Sequence, residues 1–197
     1  MARQFEFLYD IVSPTAYLAW YDAPRVAERI GAEIIYTPMF LGGVMQGSGN
    51  RPPGTVAAKA RYLAIDVPRC AKHIGIPFHS NPAFPMNTLT VQRATVGMED
   101  PNERLRFAGA CFDHSWGRPD PLDLGSDDGL RALCESAGFA FDTIKALAAD
   151  PANKAKLKDN TDGAVARGVF GAPTFFFGDE MFFGHDRLDY LARAVAS

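Results

Sequence analysis

Ser13 is the first candidate for a functional residue, because it lies with Pro14 between an aromatic segment and a helical pattern. Residues 5–9 are rich in aromatic side chains and about as long as a strand, whereas apolar residues recur three and four apart from Tyr17 onward, as in a helix. A serine hydroxyl can cap a free backbone N–H, and proline loses no hydrogen bond at the first helical position. The pattern therefore predicts a hydroxyl at the positive end of a helix, a place that suits an anion.

Helix capping alone is the alternative role for Ser13. Caps are far commoner than catalytic serines, so the Ser13–Pro14 pair on its own favours the structural role. A second segment, residues 168–177, bears on this choice. It places Ala172 and Pro173 directly before the run Thr-Phe-Phe-Phe, which is typical of a strand.

Composition excludes several classes of protein. The 197 residues suffice for one domain, or for one domain with an insertion, without help from disulfides or metals. The net charge is −3 and no run of Lys or Arg occurs, which argues against binding to nucleic acid or to an anionic membrane. No apolar stretch approaches the roughly 18 residues of a membrane span, and residues 1–4 lead straight into the first predicted strand. We therefore expect a cytoplasmic protein.

The cysteines and most histidines give no sign of a reactive or metal site. Cys70, Cys111 and Cys134 are widely spaced, form no Cys-x-x-Cys pair and have no neighbouring ligand at metal-binding spacing. We expect buried, reduced thiols and no metal. The remaining histidines also lack ligand spacing and are interpreted as structural or surface residues; they are His73, His79 and His114.

The order of predicted elements is β-α-β, a helical block, then β-β-α. The first helix runs from Ser13 to Gly31, with Pro24 expected to kink it or to restart it near Ala23. The second strand is predicted at 33–40, parallel to the first. A hairpin is predicted at 173–183, before a last helix with Leu188, Leu191, Ala192 and Val195 on one face. Helices are predicted between these parts at 55–66, 68–75, 88–97, 102–115, 127–137, 142–149 and 152–167, with loops at 42–54 and 82–88.

Four motifs in this order carry a resemblance to known families. They are Ser13-Pro14 with Tyr17, the loop 49–54 (Gly-Asn-Arg-Pro-Pro-Gly) followed by Lys59, the segment 168–173 (Gly-Val-Phe-Gly-Ala-Pro), and 183–187 (Phe-Gly-His-Asp-Arg). Together they resemble the 2-hydroxychromene-2-carboxylate isomerases and the kappa-class glutathione transferases. The brevity of the chain and residues 81–88 resemble the isomerases more closely.

The resemblance implies an α/β thioredoxin-like fold, made of β-α-β and β-β-α halves, with a DsbA-like all-helical insertion. It divides the chain into a thioredoxin-like domain, residues 1–40 and 168–197, and an insertion, residues 41–167. Redox members of this fold carry Cys-x-x-Cys where this chain has residues 13–16. Since no cysteine is present there, dithiol exchange is excluded at this position.

The same resemblance implies glutathione as cofactor and assigns residues to it. Ser13 would donate its O–H to the glutathione thiolate, and Ala172, before a cis Pro173, would pair with the tripeptide as an added strand does. Asp186 would hold the γ-glutamyl ammonium, or act as a plain helix cap, or both. The remaining expected contacts come from the His185 backbone and the last helix's N-terminus, to a carboxylate, and from Asn50 and Lys59 at the mouth of the site.

The expected activity is glutathione-dependent isomerisation of an aromatic ring-fused hydroxy acid in arene breakdown. The resemblance also implies that the enzyme is a homodimer. A kappa-like transferase that conjugates electrophiles is the competing enzymatic interpretation. A non-catalytic thioredoxin-fold binding module is the third, because such a module would also have lost its cysteines. Five aromatic residues are candidate walls for the small aromatic carboxylate: Tyr17, Trp20, Phe40, Tyr62 and Phe84.

Overall fold

Within residues 3–196, which the computed structural model describes, four strands form one sheet in the order β2-β1-β3-β4. Met1, Ala2 and Ser197, at the ends of the expected ranges, lie outside the described residues. The strands are β1 (Arg3–Tyr9), β2 (Ala32–Pro38), β3 (Thr174–Phe177) and β4 (Glu180–Phe183). β1 is parallel to β2 and antiparallel to β3, which pairs antiparallel with β4. The predicted β-α-β and β-β-α order is confirmed.

Helix α1 (Pro14–Ile30) connects β1 to β2 and begins as the sequence predicts. Ser13 is its N-cap and Gly31, at φ 64°, ends it. The expected restart near Ala23 is wrong, because α1 continues through Pro24. Val26 and Ala27, beyond the proline, are buried like the first turns of the helix, so packing of that face offsets the hydrogen bond that proline cannot donate.

The centre of the core is the buried strand β1. Phe7 stacks on Phe175 of β3 with ring centroids 4.7 Å apart, and Tyr9 packs edge-on against Trp20 of α1 at 5.3 Å. α9 (Leu188–Ala196) buries the predicted face of Leu188, Leu191, Ala192 and Val195. This packing fixes the end of β1, from which residues 10–13 lead into the helix.

Helices fill the chain between β2 and β3. They are α2 (Leu41–Ser48), α3 (Ala57–Ile74), α4 (Leu89–Gly97), α5 (Pro101–Phe112), α6 (Asp127–Ala137), α7 (Phe141–Ala149) and α8 (Pro151–Ala166). A π-helical turn, Asp113–Gly117, follows α5. None of the helices within residues 3–196 is both long and apolar enough to cross a membrane.

Two details of this helical part differ from the prediction. The glycine-rich segment 41–48 is a helix rather than a loop, because Leu41 and Val44 are buried against the rest of the molecule. The two predicted helices at 55–66 and 68–75 are one helix, α3, which continues through Pro68. Residues 82–88 are irregular as predicted, with a cis bond at Phe84–Pro85.

Candidate active site

A cavity of about 760 Å³ lies where the two halves of the sheet domain meet the helical part. The β1–α1 junction and the loop before β3 contribute residues 12–15 and 170–172. Residues 183–186, from the last residue of β4 onward, close a third side. The helical part contributes the remaining wall, made of residues 40–42, 45, 50–53, 59, 63, 66, 67 and 84–88. Every residue predicted to bind glutathione lines this cavity except Pro173, which lies beside it.

Ser13 is 4% exposed and its hydroxyl is hydrogen-bonded to two backbone groups. Its Oγ accepts the Ala16 N–H at 3.1 Å, which is the predicted cap, and donates to the carbonyl oxygen of Ala172 at 3.1 Å. The residues are 159 positions apart in the chain, so the fold brings the two predicted segments together. The first turn of α1 contains no acidic residue that would neutralise the positive end of the helix.

Thr15 adds a second hydroxyl to this place, which the sequence interpretation did not anticipate. Its Oγ1 donates to the same Ala172 carbonyl oxygen at 3.2 Å and lies 3.1 Å from the Ser13 Oγ. The sequence does indicate that Thr15 is near Ser13, because Thr15 is the second residue of a helix whose N-cap is Ser13. Only the long-range approach of Ala172 shows that the two hydroxyls share an acceptor.

The Ala172–Pro173 peptide bond is cis, as expected. Ala172 is 8% exposed, and its N–H makes no hydrogen bond with any part of the chain between residues 3 and 196. Its carbonyl is occupied by Ser13 and Thr15. The backbone at Ala172 therefore offers an incoming peptide an open donor, while its acceptor is already in use.

The carboxylate of Asp10 holds the β1–α1 junction from behind. It accepts hydrogen bonds from the Val12 N–H (3.2 Å), from the Leu41 N–H at the start of α2 (2.7 Å) and from the Thr88 hydroxyl (2.6 Å). Burial raises the pKa of Asp10 to about 6, although these three donors act to lower it. Trp116 adds a hydrogen bond from its Nε1 to the Ile11 carbonyl at 2.8 Å. The helical part thus fixes the loop that carries Ser13.

Asn50 lines the cavity and joins the helical part to the proline loop. Its side-chain amide donates to the Phe170 carbonyl at 2.7 Å, and its side-chain oxygen accepts the Arg51 N–H at 2.8 Å. An amide NH2 group has two protons and only one is used here, so the expected contact of Asn50 with a ligand stays a prediction. The hydrogen bond to Phe170 places the loop 49–54 against residues 168–173.

The rim contributed by the helical part carries charge. Lys59 and Arg51 are exposed and line the cavity, and neither forms an ion pair within the described part of the chain. Asp66 of α3, which the sequence interpretation missed, also lines the cavity and is paired with Arg69 at 2.7 Å. No local pattern distinguishes Asp66 from any other polar residue on the helix.

His185 and Asp186 lie at the opposite side of the cavity, in a short 3-10 turn before α9. The Asp186 carboxylate pairs with Arg187 at 2.8 Å and caps no backbone N–H among residues 3–196, so the plain-cap alternative has no support. Burial lowers the pKa of His185, although Asp186, Asp22 and Asp66 act to raise it. Gly184 lies at φ 104°, and a Cβ there would come within 2.5 Å of the Asp186 carboxylate, which explains the glycine.

Apolar side chains form the rest of the wall. Of the five aromatic candidates, Phe40 and Phe84 line the cavity. The other three do not: Tyr17 is in the core and donates to the Pro77 carbonyl at 2.5 Å, Trp20 packs in the aromatic core, and Tyr62 is 58% exposed on α3. The wall also includes residues that the sequence interpretation did not name, which are Met45, Met86, Phe170 and Phe183.

The three cysteines, and the histidines other than His185, lie outside the site. Cys111 and Cys134 are buried and Cys70 is partly buried; all three are free thiols, and burial raises the pKa of each. His114 is 4% exposed, and His73 is on the surface. No group of His, Cys, Asp or Glu within residues 3–196 has the arrangement of a metal site.

Comparison with known proteins gives a consistent result. The family model described as a DSBA-like thioredoxin domain matches residues 4–196. A 2-hydroxychromene-2-carboxylate isomerase from Sphingobium xenophagum is 30% identical over 194 residues, which cover 97% of each chain. Glutathione S-transferase kappa 1 from Homo sapiens is 29% identical over 213 residues, 99% of this chain and 92% of that one. Both groups that the motifs resemble are therefore relatives over nearly the whole length.

A solved structure supports the same relation. The structure of a 2-hydroxychromene-2-carboxylate isomerase superposes with a TM-score of 0.85 at 26% identity, and the match covers 97% of this chain and 93% of the other. The thioredoxin-like fold with a DsbA-like helical part, expected from the sequence, is confirmed by this match and by the family model.

Proposed function

The chain belongs to the DSBA-like thioredoxin domain family, in the group of 2-hydroxychromene-2-carboxylate isomerases and kappa-class glutathione transferases, and from this premise we propose that it is a glutathione-dependent isomerase. The substrate class is a ring-opened aromatic hydroxy acid of the 2-hydroxychromene-2-carboxylate type. The observation that carries the proposal is the buried contact between Ser13 and the residue before a cis proline, at the base of a cavity.

The residues present fit glutathione. The open N–H of Ala172 is a donor for a peptide carbonyl, as in the addition of a strand. Asp186 supplies a carboxylate for the γ-glutamyl ammonium, and Lys59 a cation for a carboxylate at the cavity mouth. A volume of about 760 Å³ lies within the range typical of small-molecule sites, about 300–1,000 Å³. When bound, glutathione supplies a nucleophilic sulfur that adds to and then leaves the conjugated substrate, so that it is not consumed.

The task of Ser13 is to keep that sulfur ionised. A thiol with a pKa near 8.5 must be lowered by about 1.5 units to be half ionised at neutral pH, which costs roughly 2 kcal/mol. A hydrogen bond to a charged acceptor contributes about 1.5–3 kcal/mol, and a helix N-terminus about 0.3–1 kcal/mol, or up to about 2 where it is partly buried. The hydroxyl of Ser13 and the start of α1 together suffice. Ser13 is thus a hydrogen-bond donor and not itself a nucleophile.

The apolar wall accommodates the substrate ring, and the cations of the rim accommodate its carboxylate. Phe40, Met45 and Met86 lie on the same side of the cavity as the helical part. Arg51 and Lys59 lie at its exposed edge without ion-pair partners in the described residues. We further propose a cytoplasmic location and a homodimer, both of which stay predictions.

A kappa-like transferase is the second candidate, because a human kappa transferase is about as similar to this chain as the isomerases are. Both groups of relatives are enzymes, which argues against the non-catalytic binding module.

One assay distinguishes the candidates. The chromene acid and its ring-opened isomer are followed by absorbance with and without glutathione, and free thiol is counted at the end. The isomerase interconverts the two acids only with glutathione present and leaves the thiol count unchanged. Loss of thiol with chlorodinitrobenzene and no isomerisation would show a transferase. Absence of any heat of glutathione binding at millimolar concentration would leave only the binding module.

A further inference from the structure

Two hydroxyl groups share one carbonyl oxygen at the base of the cavity. Ser13 Oγ and Thr15 Oγ1 lie 3.1 and 3.2 Å from the Ala172 oxygen and 3.1 Å from each other. Both residues line the cavity, and the Ala172 N–H beside them is open. The Ser13 proton is therefore not free in this arrangement, although the proposed function requires it to be donated to a thiolate.

Counting donors and acceptors shows how the proton can be released. A carbonyl oxygen has two lone pairs, and each hydroxyl has one proton. Ser13 Oγ also accepts the Ala16 N–H, a bond that does not depend on where its own proton points. When Ser13 turns its O–H away from Ala172, the carbonyl keeps the hydrogen bond from Thr15. Without Thr15, the same movement would leave a buried acceptor unpaired, which is unfavourable.

We propose that Thr15 is a positioning residue, whose hydroxyl holds the Ala172 carbonyl so that the Ser13 proton is available to a bound thiolate. This rests on the proposed function, since it concerns how the thiolate is stabilised. Thr15 does not contact the sulfur in this role. The proton lost from the thiol leaves to solvent, and the only change within the protein is the direction of the Ser13 O–H.

Before a thiolate binds, Ser13 can also donate its proton to Thr15 instead of to Ala172. While Thr15 donates to Ala172, its oxygen can still accept from Ser13, because the two oxygens are at hydrogen-bond distance. In both arrangements Thr15 keeps the Ala172 carbonyl paired, so the Ser13 proton can turn from its resting acceptor to a bound thiolate without leaving that carbonyl unpaired. The effect of Thr15 on the thiolate therefore passes through Ser13 and depends on Ser13 being present.

The test measures the pKa of the thiol of bound glutathione, from the ultraviolet absorbance of the thiolate against pH. Thr15→Val removes the hydroxyl and keeps the shape, and Thr15→Ser keeps the hydroxyl. Thr15→Ala is a second variant without hydroxyl in case the valine variant does not fold. Loss of one hydrogen bond of ordinary strength corresponds to a rise of about 0.7 unit, a roughly fivefold change in the ionisation constant. We expect that rise in the valine or alanine variant and the unaltered value in Thr15→Ser.

Two controls separate a positioning role from a structural one. S-methylglutathione has no ionisable thiol, so its affinity by calorimetry should change less than about twofold between the unaltered protein and Thr15→Val. In a Ser13→Ala background, Thr15→Val should no longer move the pKa of the bound thiol. The same rise in that background would show that Thr15 donates to the sulfur directly and would overturn the proposal.

Failure of the proposal and failure of the proposed function give different results. If the unaltered protein lowers the pKa of the bound thiol and Thr15→Val lowers it equally, Thr15 has no such role while the function stands. If the unaltered protein leaves the pKa of the thiol at its value in free glutathione, the function itself fails, and the role of Thr15 fails with it.

Discussion

The two sides of the cavity are built in opposite ways. The cavity floor, residues 12–15 and 171–173, is buried or half-buried, and its hydroxyls and carbonyl are bonded to one another. The cavity rim, residues 50–53, 59, 66 and 183–186, is mostly exposed and carries charged side chains. The difference agrees with the proposed function, in which the two sides have different tasks. The fixed, desolvated floor would set the chemistry at the sulfur of glutathione, whereas the solvated rim would select and retain the ligands.

The free-energy cost of a substitution should therefore differ between the floor and the rim. At the floor, removal of one partner leaves a buried group unpaired, so single substitutions have large effects. At the rim, an exposed charge is screened by water and salt, and its removal costs about 0–1 kcal/mol, or about 1.5 kcal/mol where it also forms a hydrogen bond with a charged group of the ligand. The predictions below test this contrast, from the largest expected effect to the smallest.

The largest effect concerns Asp10, behind the floor. Its pKa is raised from 3.8 to about 6 by burial, so the folded state favours the neutral acid. This group therefore contributes stability that is fully present below about pH 3.8 and is lost as the pH rises through about 6. At 1.36 kcal/mol per unit the loss is about 3 kcal/mol. Urea unfolding at about pH 4 and pH 8 should show this decrease in the free energy of unfolding for the unaltered protein and not for Asp10→Asn.

The control for Asp10 is Asp179→Asn, in the exposed turn between β3 and β4. The free energy of unfolding of this variant should depend on pH as that of the unaltered protein does. An Asp10→Asn variant whose stability falls with pH as steeply as that of the unaltered protein would contradict the assignment.

Ser13→Ala is expected to lower turnover about 100-fold, because one preorganised donor to a developing or bound anion is worth that much. The pH–rate profile should move to higher pH, since the thiol would ionise later. Steady-state rates across pH measure both. Ser80→Ala, an exposed serine away from the cavity, is the matched control. A pH–rate profile unchanged by Ser13→Ala would refute the role given to Ser13.

Asp186→Asn is expected to weaken glutathione binding about tenfold, the lower end for a hydrogen bond to a charged group. The turnover at saturating glutathione should change little, since Asp186 lies at the rim and not beside Ser13. Calorimetry gives the affinity. Asp189→Asn provides the control, because Asp189 is close in sequence but pairs with Arg29 instead of lining the cavity. Equal affinity in the Asp186 and Asp189 variants would remove Asp186 from the site.

Lys59→Gln should have the smallest effect, a rise of about two- to fivefold in the KM for an anionic substrate. The rise should fade at high salt, because the charge is exposed. Lys72→Gln, at the other end of α3, leaves the net charge equal to that of the test variant and should not alter KM. A salt-independent effect of Lys59→Gln would show a desolvated contact and break the contrast between floor and rim.

Part of the floor could be predicted from the sequence, because serine and proline have strong preferences at the ends of helices and strands. A serine before proline predicts the start of a helix at Ser13. An X-Pro pair before a strand is a weaker signal, and the site role of Ala172 and Pro173 came from the resemblance. The resemblance to known families supplied the one long-range fact, that the two segments meet. The succession of elements along the chain and the last helix likewise follow from local patterns.

The rim could not be predicted, because nothing local determines which face of a helix covers a cavity. Met45 lines the site from α2, which is a helix despite its glycines, and Asp66 and Met86 line it from α3 and from the irregular segment 82–88. Tyr17 carries a motif signal and yet lies in the core. The continuous helices through Pro24 and Pro68 show the same limit, since packing outweighs the local preference.

The central claim is that this protein, without a reactive thiol of its own at the strand–helix junction, holds the thiol of a tripeptide there as an anion. The most direct measurement is a pH titration of the thiolate absorbance of glutathione bound to the unaltered protein. The account predicts a midpoint at about pH 7 or below. A midpoint near that of an ordinary thiol, about 8.5, would contradict it.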